Sequence, residues 1–320
     1  MALVGRRDAG RQALGDMFAG GHFATVKAHS DRWQAFVDWC RSEGGPGYND
    51  ARQIDQQTLQ DYVAYLRQQI QQGELCIATA QNRLSSVNRT LAALRGDQEV
   101  RVISPSQALG QQRSNVRSQA PAGQDHQQVQ RVLQVLREQQ YERVAAIALL
   151  ARATGMRLRL RLRLREAILA DLPRLHHEAK HLGRINIQDG TKGGRSGASA
   201  PWWIAANNEL NEAFLFARNA SPRGSRNLLA PEESYAAFLQ MTVRPARKIL
   251  HRHKLKGFHE LRAAYACKHY EHFTGYAAPV NGGHCYRIDP DLDQQARLQI
   301  SLELGHNRLD VVSAYIGGRS

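Results

Sequence analysis

Apolar side chains recur at helical spacing through the first hundred residues, and this pattern restricts that part of the chain to packed helices. The spacing i, i+3, i+4, i+7 places four side chains on one face of a helix. Two segments carry it: Trp33, Phe36, Val37 and Cys40, and then Leu59, Tyr62, Val63 and Leu66. A third set, Leu84, Val87, Leu91 and Leu94, has the related helical spacing i, i+3, i+7, i+10. Thr25 and Asp55 are the predicted N-caps of the first two helices. We therefore predict a helical domain over residues 23–96, preceded by a leader over residues 1–22.

A change of composition follows this domain. The stretch SPSQALGQQRSNVRSQAPAGQD is rich in Ser, Gln, Gly and Pro and has almost no large apolar side chains. Such a composition is typical of a linker, which we predict over residues 97–125. Helical spacing resumes beyond it, with Asp125 as the predicted cap of the next helix.

The pattern changes once more near residue 185, where a hairpin is predicted. Ile185 and Ile187 alternate with polar residues, a Gly-rich turn follows, and PWWI resumes an extended apolar pattern. The remaining sequence again has helical spacing. The predicted fold class is mainly α (α+β), with an N-terminal helical domain and a mixed domain over residues 126–320 that contains a small antiparallel sheet.

The charge balance favours a polyanionic partner. Lys and Arg number 43 against 29 Asp and Glu, a net charge of +14, and nucleic acid would neutralise the resulting self-repulsion. The longest apolar run, VAAIALLA at 144–151, is far shorter than the ~20 residues that span a bilayer. The first residues lack the apolar region of a signal peptide. We therefore expect a cytoplasmic protein with no membrane partner.

Three short stretches of the second half contain residues suited to catalysis. FHELRAAYACKHY sets His259 and Arg262 three apart on a predicted helix, hence on one face. LELGHNRLDVVSAYIGG places His306 nine residues before Tyr315, and GTKGGR places Lys192 at the tip of the hairpin. Together with an arginine after a TG turn, this ordered set resembles the tyrosine recombinase, or phage integrase, family. The N-terminal helices and the linker resemble the core-binding domain of that family.

The resemblance implies site-specific breaking and rejoining of double-stranded DNA by a homotetramer, in the service of a mobile element, with no metal or other cofactor. Tyr315 would attack a backbone phosphate and form a 3′-phosphotyrosine, which retains the bond energy for religation. Arg262 and a second arginine would hold the non-bridging oxygens. His259 is the candidate proton acceptor, Lys192 the candidate proton donor, and His306 the candidate hydrogen-bond donor to a phosphate oxygen.

The identity of the second arginine is left open by a run of alternating Leu and Arg. The family pattern has one arginine after the glycine turn and an acidic residue three positions later, whereas Gly155 and Glu166 are eleven apart here. Deleting residues 158–163 restores TGMRLREAILADL. Counting forward from the glycine selects Arg157, which we favour, and counting back from Glu166 selects Arg163.

An insertion of six residues rotates the following part of a helix by about 240°, so it cannot extend one helix unnoticed. We therefore hypothesise that the protein binds DNA but cleaves it slowly or not at all. The alternative function is a DNA-binding protein that has lost catalysis.

A basic segment provides the predicted phosphate contacts. RPARKILHRHKLKG, residues 244–257, is predicted to form a basic helix. Its candidate DNA-binding residues are Arg244, Arg247, Lys248, Arg252 and Lys254. Trp33 and Trp39 of the N-terminal helices are expected to join this helix in a clamp around the duplex.

Zinc binding is the alternative use of the cysteines and histidines in the second half. The set would be Cys267, His269, His272 and Cys285, but its spacing matches no common zinc pattern, so no metal site is predicted.

Overall fold

A computed structural model of the 320-residue chain describes residues 6–48, 50–156, 165–190, 202–306 and 308–319. The chain divides into two compact units, Met1–Ser114 and Asn115–Ser320. The division falls within the stretch 97–125 that the sequence analysis treats as a linker.

Unit 1 is built from helices that bury the three predicted apolar faces. Its helices are α1 (Arg6–Met17), α2 (Phe23–Cys40), α3 (Gln56–Gln71), α4 (Ile77–Arg95) and the single turn α5 (Pro105–Ala108). The apolar sets of α2 and α3 and the first three members of that of α4 are buried. Each large side chain removed from water in this way contributes about 1.5–3 kcal/mol. The predicted leader contains α1, which packs on α2 and α4.

Two of the three predicted helix caps are confirmed. Asp55 accepts a hydrogen bond from the backbone N–H of Thr58, and Asp125 accepts one from that of Gln128. The Thr25 cap is wrong, because α2 begins two residues earlier, at Phe23, after His22 in the left-handed conformation (φ 54°). Side-chain caps relieve unpaired N–H groups at a helix start, but His22 makes no such bond.

In unit 2, other helices pack around one nearly apolar helix. Its helices are α6 (His126–Glu138), α7 (Glu142–Thr154), α8 (Arg165–Leu169), α9 (Leu172–Leu182), α10 (Asn208–Ala220), α11 (Tyr235–Phe238), α12 (Arg244–Arg252), α13 (His259–Thr274), α14 (Pro290–Glu303) and α15 (Ser313–Ile316). The apolar run VAAIALLA lies in α7, which α6, α10 and α13 contact. A helix that is apolar on all sides needs such neighbours to cover it.

The predicted hairpin is a two-stranded antiparallel sheet. Strand β1 (Arg184–Asn186) pairs with β2 (Trp203–Ala205), with Ile185 opposite Ile204. Both isoleucines are buried, and they pack in the core of unit 2. The predicted fold class, mainly helical with a small antiparallel sheet, is confirmed.

The basic helix is shorter than the sequence indicates. Residues 244–257 were predicted to be helical, but α12 ends at Arg252. Lys254 adopts a left-handed conformation with φ 60°, which α-helical hydrogen bonding does not accommodate. Within the described ranges, no helix combines the length and the apolar character needed to cross a bilayer.

Candidate active site

Arg262 is the centre of a polar cluster in unit 2. Its side chain is 1% exposed and donates to the carbonyl of Gly155, at the end of α7, and to that of Leu304, just after α14, at 2.8 Å. Its contacts with side chains are Nε to the Tyr315 hydroxyl at 3.2 Å and Nη2 to His306 Nε2 at 3.1 Å. Carbonyl acceptors just beyond the ends of two different helices therefore orient the guanidinium toward the other two side chains.

The direction of the hydrogen bonds around Tyr315 follows from the tautomer of His306. A guanidinium has no acceptor, so its contact with His306 Nε2 favours the tautomer in which that nitrogen is unprotonated. In that tautomer the Tyr315 hydroxyl, which lies 2.9 Å from the same nitrogen, donates to it. The phenol oxygen accepts from Arg262 Nε. The phenol then has a proton acceptor on one side and a fixed cation on the other.

His259 completes the cluster as the first residue of α13. It is half-buried, and its ring centroid lies 5.3 Å from that of Tyr315. One helical turn separates it from Arg262, as the three-residue spacing in the sequence predicts. The cluster therefore contains four of the predicted site residues: His259, Arg262, His306 and Tyr315.

A buried ion pair within α14 holds the chain just after α15, the helix that carries Tyr315. Asp293 is 1% exposed and binds Arg297 Nε at 2.9 Å. Arg297 Nη1 donates to the carbonyl of Gly317 at 3.2 Å, and Arg319 Nε binds Asp293 at 2.7 Å. Burial opposes ionisation of Asp293, but hydrogen bonds from Tyr270 and Arg297 hold the pKa of its carboxyl below the ordinary value.

The turn that presents His306 rests on a second buried network. Glu303 is 3% exposed and accepts from the Tyr265 hydroxyl at 3.1 Å, and His269 Nδ1 lies 2.9 Å away in an ion-pair contact. Burial, followed by the charge of Glu303, raises the pKa of Tyr265 well above its ordinary value. Trp202 donates to the Glu303 carbonyl at 2.5 Å. The carboxylate therefore stabilises the backbone just before His306.

The glycine of the L-G-H motif is required by this packing. Gly305 has φ 62°, and a Cβ at that position would lie 2.9 Å from the Trp202 ring. A larger residue would strain the backbone and displace the indole. The motif thus combines a tight turn with close packing on Trp202, the residue directly before β2.

Gly155, which follows α7, supplies one of the two carbonyls that hold Arg262. It has φ 64°, and a Cβ there would lie 2.7 Å from Tyr265 and 2.8 Å from Leu304. We expect Gly155→Ala to lower the free energy of unfolding by about 2–4 kcal/mol, the sum of a left-handed backbone penalty and overpacking. Urea denaturation measures this change.

Gly275→Ala is the matched control for that substitution. Gly275 has φ 74° after α13, and a Cβ there would have no neighbouring group of the described chain within 4 Å. We expect a loss of only about 1 kcal/mol, from the backbone alone. Equal losses in the two variants would contradict the role of close packing at Gly155.

Three predicted site residues lie outside the described residues. These are Arg157 and Arg163, in the Leu-Arg run, and Lys192, at the tip of the hairpin. The described chain stops at Met156, which is fully buried, and resumes at Arg165, directly before the buried Glu166.

The candidate DNA-binding residues lie on and just after α12. Arg244, Lys248 and Arg252 are exposed and four residues apart, so they form one stripe, and Lys254 is also exposed. Arg247 is half-buried; burial and the nearby Arg244 lower its pKa. The opposite side of the helix buries Ala246, Ile249 and Leu250. The stripe therefore presents three cations with fixed spacing.

The expected contribution of two tryptophans to a DNA clamp is wrong. Trp33 and Trp39 are 3% and 6% exposed, because their rings pack on Phe36 and Tyr62 in the core of unit 1. Among the residues that the structure describes, no group of three or more His, Cys, Asp or Glu side chains is arranged to hold a metal ion.

Sequence reasoning missed the supporting residues of the cluster. The carbonyl acceptors of Arg262 belong to Gly155 of the TG turn and to Leu304, and Glu303 directly precedes Leu304, but motif spacing gave none of these groups a supporting role. The glycines at 155 and 305 were the available signal, because each allows a close approach that brings a neighbouring carbonyl or ring to the site.

Comparisons with known proteins give a distant structural neighbour. No protein-family model matches the chain, and no curated protein matches it. Among solved structures, the chain is similar to one described as the crystal structure of XerA recombinase, with 14% identity and a TM-score of 0.35. The match covers 96% of this chain and 92% of the other.

Proposed function

We propose that this protein is a site-specific DNA recombinase that breaks and rejoins double-stranded DNA through a 3′-phosphotyrosine on Tyr315. The observation that carries the proposal is the Tyr315 hydroxyl held between Arg262 Nε and His306 Nε2, at 3.2 and 2.9 Å. A nucleophile in contact with a proton acceptor and a permanent cation is the arrangement that phosphoryl transfer requires.

Phosphate binding uses the contacts that Arg262 makes with side chains. A non-bridging oxygen replaces the Tyr315 hydroxyl and His306 as a partner of the guanidinium, while the carbonyls of Gly155 and Leu304 keep the group oriented. The exposed stripe Arg244, Lys248 and Arg252 contacts neighbouring phosphates without reading sequence.

In the chemical step, the Tyr315 oxygen attacks phosphorus, a phosphotyrosine bond forms and the bond to the 5′-oxygen breaks. The contact of His306 Nε2 with the hydroxyl leads us to assign proton acceptance to His306, with His259 as the neighbouring imidazole. The sequence interpretation assigned this role to His259. Lys192 is the proposed proton donor to the leaving 5′-oxygen, and Arg157 or Arg163 the second guanidinium. The reverse attack by a 5′-hydroxyl reseals the strand, so no cofactor is needed. We also propose that the protein acts on DNA as a homotetramer, in the cytoplasm and in the service of a mobile element.

A pool of nicked duplexes with randomised sequence around the nick tests this proposal even though the target sequence is unknown. Loss of the short fragment beyond the nick prevents religation and traps the covalent complex. We expect an adduct that survives SDS, attached to the peptide that contains Tyr315. Binding to the pool without any adduct would instead support the non-catalytic DNA-binding protein. Relaxation of supercoiled plasmid without sequence preference would indicate a topoisomerase.

The Leu-Arg run makes an impaired enzyme the second candidate function. We expect deletion of residues 158–163 to raise the rate of adduct formation by about 10- to 100-fold, because it restores the short connection between Gly155 and Glu166. An effect of this size is expected because misplacement of a catalytic group by about 1 Å can cost about 10²-fold in rate. The measurement is adduct yield against time at saturating DNA.

The deletion also removes positive charge, which needs its own control. The double variant Arg159→Gln, Arg161→Gln keeps the length of the run and is expected to leave the adduct rate nearly unchanged at saturating DNA. No gain on deletion, or the same gain in the double variant, would contradict an effect of length.

A further inference from the structure

Residues 115–124, here called the strap, lie across the elements that carry the candidate site in unit 2. The strap includes a short 3₁₀ turn, Ala122–Gln124, that packs on α13. We propose that the strap is a positioning element, and that Arg117 and Glu260 are positioning residues that fix Tyr315 relative to the first turn of α13. The relevance of the strap to catalysis rests on the proposed function.

Glu260 is the attachment point on α13, between His259 and Arg262. Its carboxylate Oε2 binds Arg117 Nη2 at 2.6 Å and accepts from the backbone N–H of Ala122 at 3.0 Å. The two side chains of the ion pair are 14% and 11% exposed. Charge-assisted bonds that are shielded from water in this way are stronger than exposed ion pairs, and loss of one partner leaves the other uncompensated.

Arg117 also attaches the strap to α15. Its backbone N–H donates to the carbonyl of Ser313 at 2.9 Å, two residues before Tyr315. Beyond the tyrosine, a Cβ on Gly317 would lie 3.4 Å from the Arg117 carbonyl. One residue of the strap is therefore in contact with the helix that carries Tyr315 and, through its side chain, with the helix that carries Arg262.

A third attachment reaches the end of α7. Arg152 Nε, three residues before Gly155, donates to the carbonyl of Gly123 at 3.2 Å. A Cβ on Gly123 would lie 2.8 Å from the Glu260 carbonyl, so the strap backbone lies directly on α13. The strap thus joins α7, α13 and α15, and a change in it alters the relative positions of Arg262 and Tyr315.

Removal of the Arg117–Glu260 pair tests the proposal. We expect Glu260→Gln and Arg117→Gln each to lower the rate of adduct formation at saturating nicked DNA by about 10- to 100-fold, since small displacements of reacting groups have effects of this size. DNA affinity is expected to change by less than about twofold for Glu260→Gln. The double variant should lose no more than either single variant, because both remove one interaction. Arg117→Lys, which keeps a cation, should lose less than Arg117→Gln.

Hydrogen exchange of the free protein gives a readout independent of DNA cleavage. We expect faster exchange in the segment 311–319 of both single variants, because α15 loses its attachment to α13 through the strap. Faster exchange together with a wild-type protein that forms no adduct would support the strap and reject the proposed function. Unchanged hydrogen exchange in the segment 311–319 would overturn the positioning role of the strap, whatever the rate of adduct formation.

The pair Arg143–Glu233 is the matched control. It lies in the same unit, at 2.5 Å, with side chains 25% and 20% exposed, away from the contacts of Tyr315. We expect Arg143→Gln to lower the free energy of unfolding about as much as Arg117→Gln does. It should leave the adduct rate and the hydrogen exchange of the segment 311–319 unchanged. An equal loss of adduct rate in this control, or an unchanged rate in the Glu260 and Arg117 variants, would overturn the proposal.

Discussion

Replacement of Tyr315 by Phe is expected to reduce covalent protein–DNA adduct to background, a loss of at least about 10⁴-fold in rate, because the phenol oxygen is the proposed nucleophile that bonds to phosphorus. The ring is 6% exposed and keeps its packing in the variant. Arg262 Nε loses one acceptor, which costs about 1–2 kcal/mol of unfolding free energy. The variant should therefore fold and bind DNA. The measurement is adduct yield on nicked DNA, with binding followed by gel shift.

Tyr265→Phe is the matched control for this substitution. Tyr265 is a buried tyrosine in the same region, and its hydroxyl donates to Glu303 at 3.1 Å. Its removal should destabilise the turn before His306 by about 1–2 kcal/mol and leave adduct formation measurable. Adduct that persists in Tyr315→Phe at the wild-type level would refute Tyr315 as the nucleophile.

Replacement of Arg262 by Lys is expected to affect both activity and stability. An ammonium group cannot reach the four partners of the planar guanidinium, so the buried carbonyls of Gly155 and Leu304 are left poorly paired. We expect the free energy of unfolding to fall by about 2–4 kcal/mol. The adduct rate should fall by about 10³-fold, since the proposed function makes this guanidinium an oriented donor to the transition state. Urea denaturation and single-turnover adduct formation measure the two effects.

A second arginine of unit 2 separates these two effects. Arg174 binds Glu178, Asp189 and the carbonyl of Asn186, at 2.6, 2.8 and 3.1 Å respectively. Arg174→Lys should lower the free energy of unfolding because these partners lose hydrogen bonds from the guanidinium. The adduct rate should stay within about threefold of wild type. If both variants lose activity in proportion to stability, Arg262 has a structural role only.

The secondary structure could largely be read from the sequence, because its signals are local. The spacing of Trp33, Phe36, Val37 and Cys40 predicted a buried helical face, and Asp55 and Asp125 predicted helix starts, since a side-chain cap acts within three residues. The end of α12 could not be read in this way. The sequence continues with basic residues that favour a helix, and only the left-handed backbone at Lys254 ends it.

The residues of the candidate site could be named from motif spacing, but not their contacts. Spacing alone did not indicate that His306 Nε2 would lie 2.9 Å from the Tyr315 hydroxyl. The strap is a further example, because its stretch of small and polar residues is typical of a linker. Glu260 nevertheless binds this stretch through Arg117 and Ala122, at separations of 143 and 138 residues.

By itself, the sequence determined the apolar faces of the helices of unit 1, the hairpin and where two helices begin, and it named the candidate site residues. Those properties follow from backbone hydrogen bonding and side-chain periodicity over a few residues. Tertiary structure alone decided that Arg262 is held by carbonyls 107 and 42 residues away, and that Tyr315 lies against it. Such contacts depend on how several helices pack at once, and no local pattern encodes that arrangement.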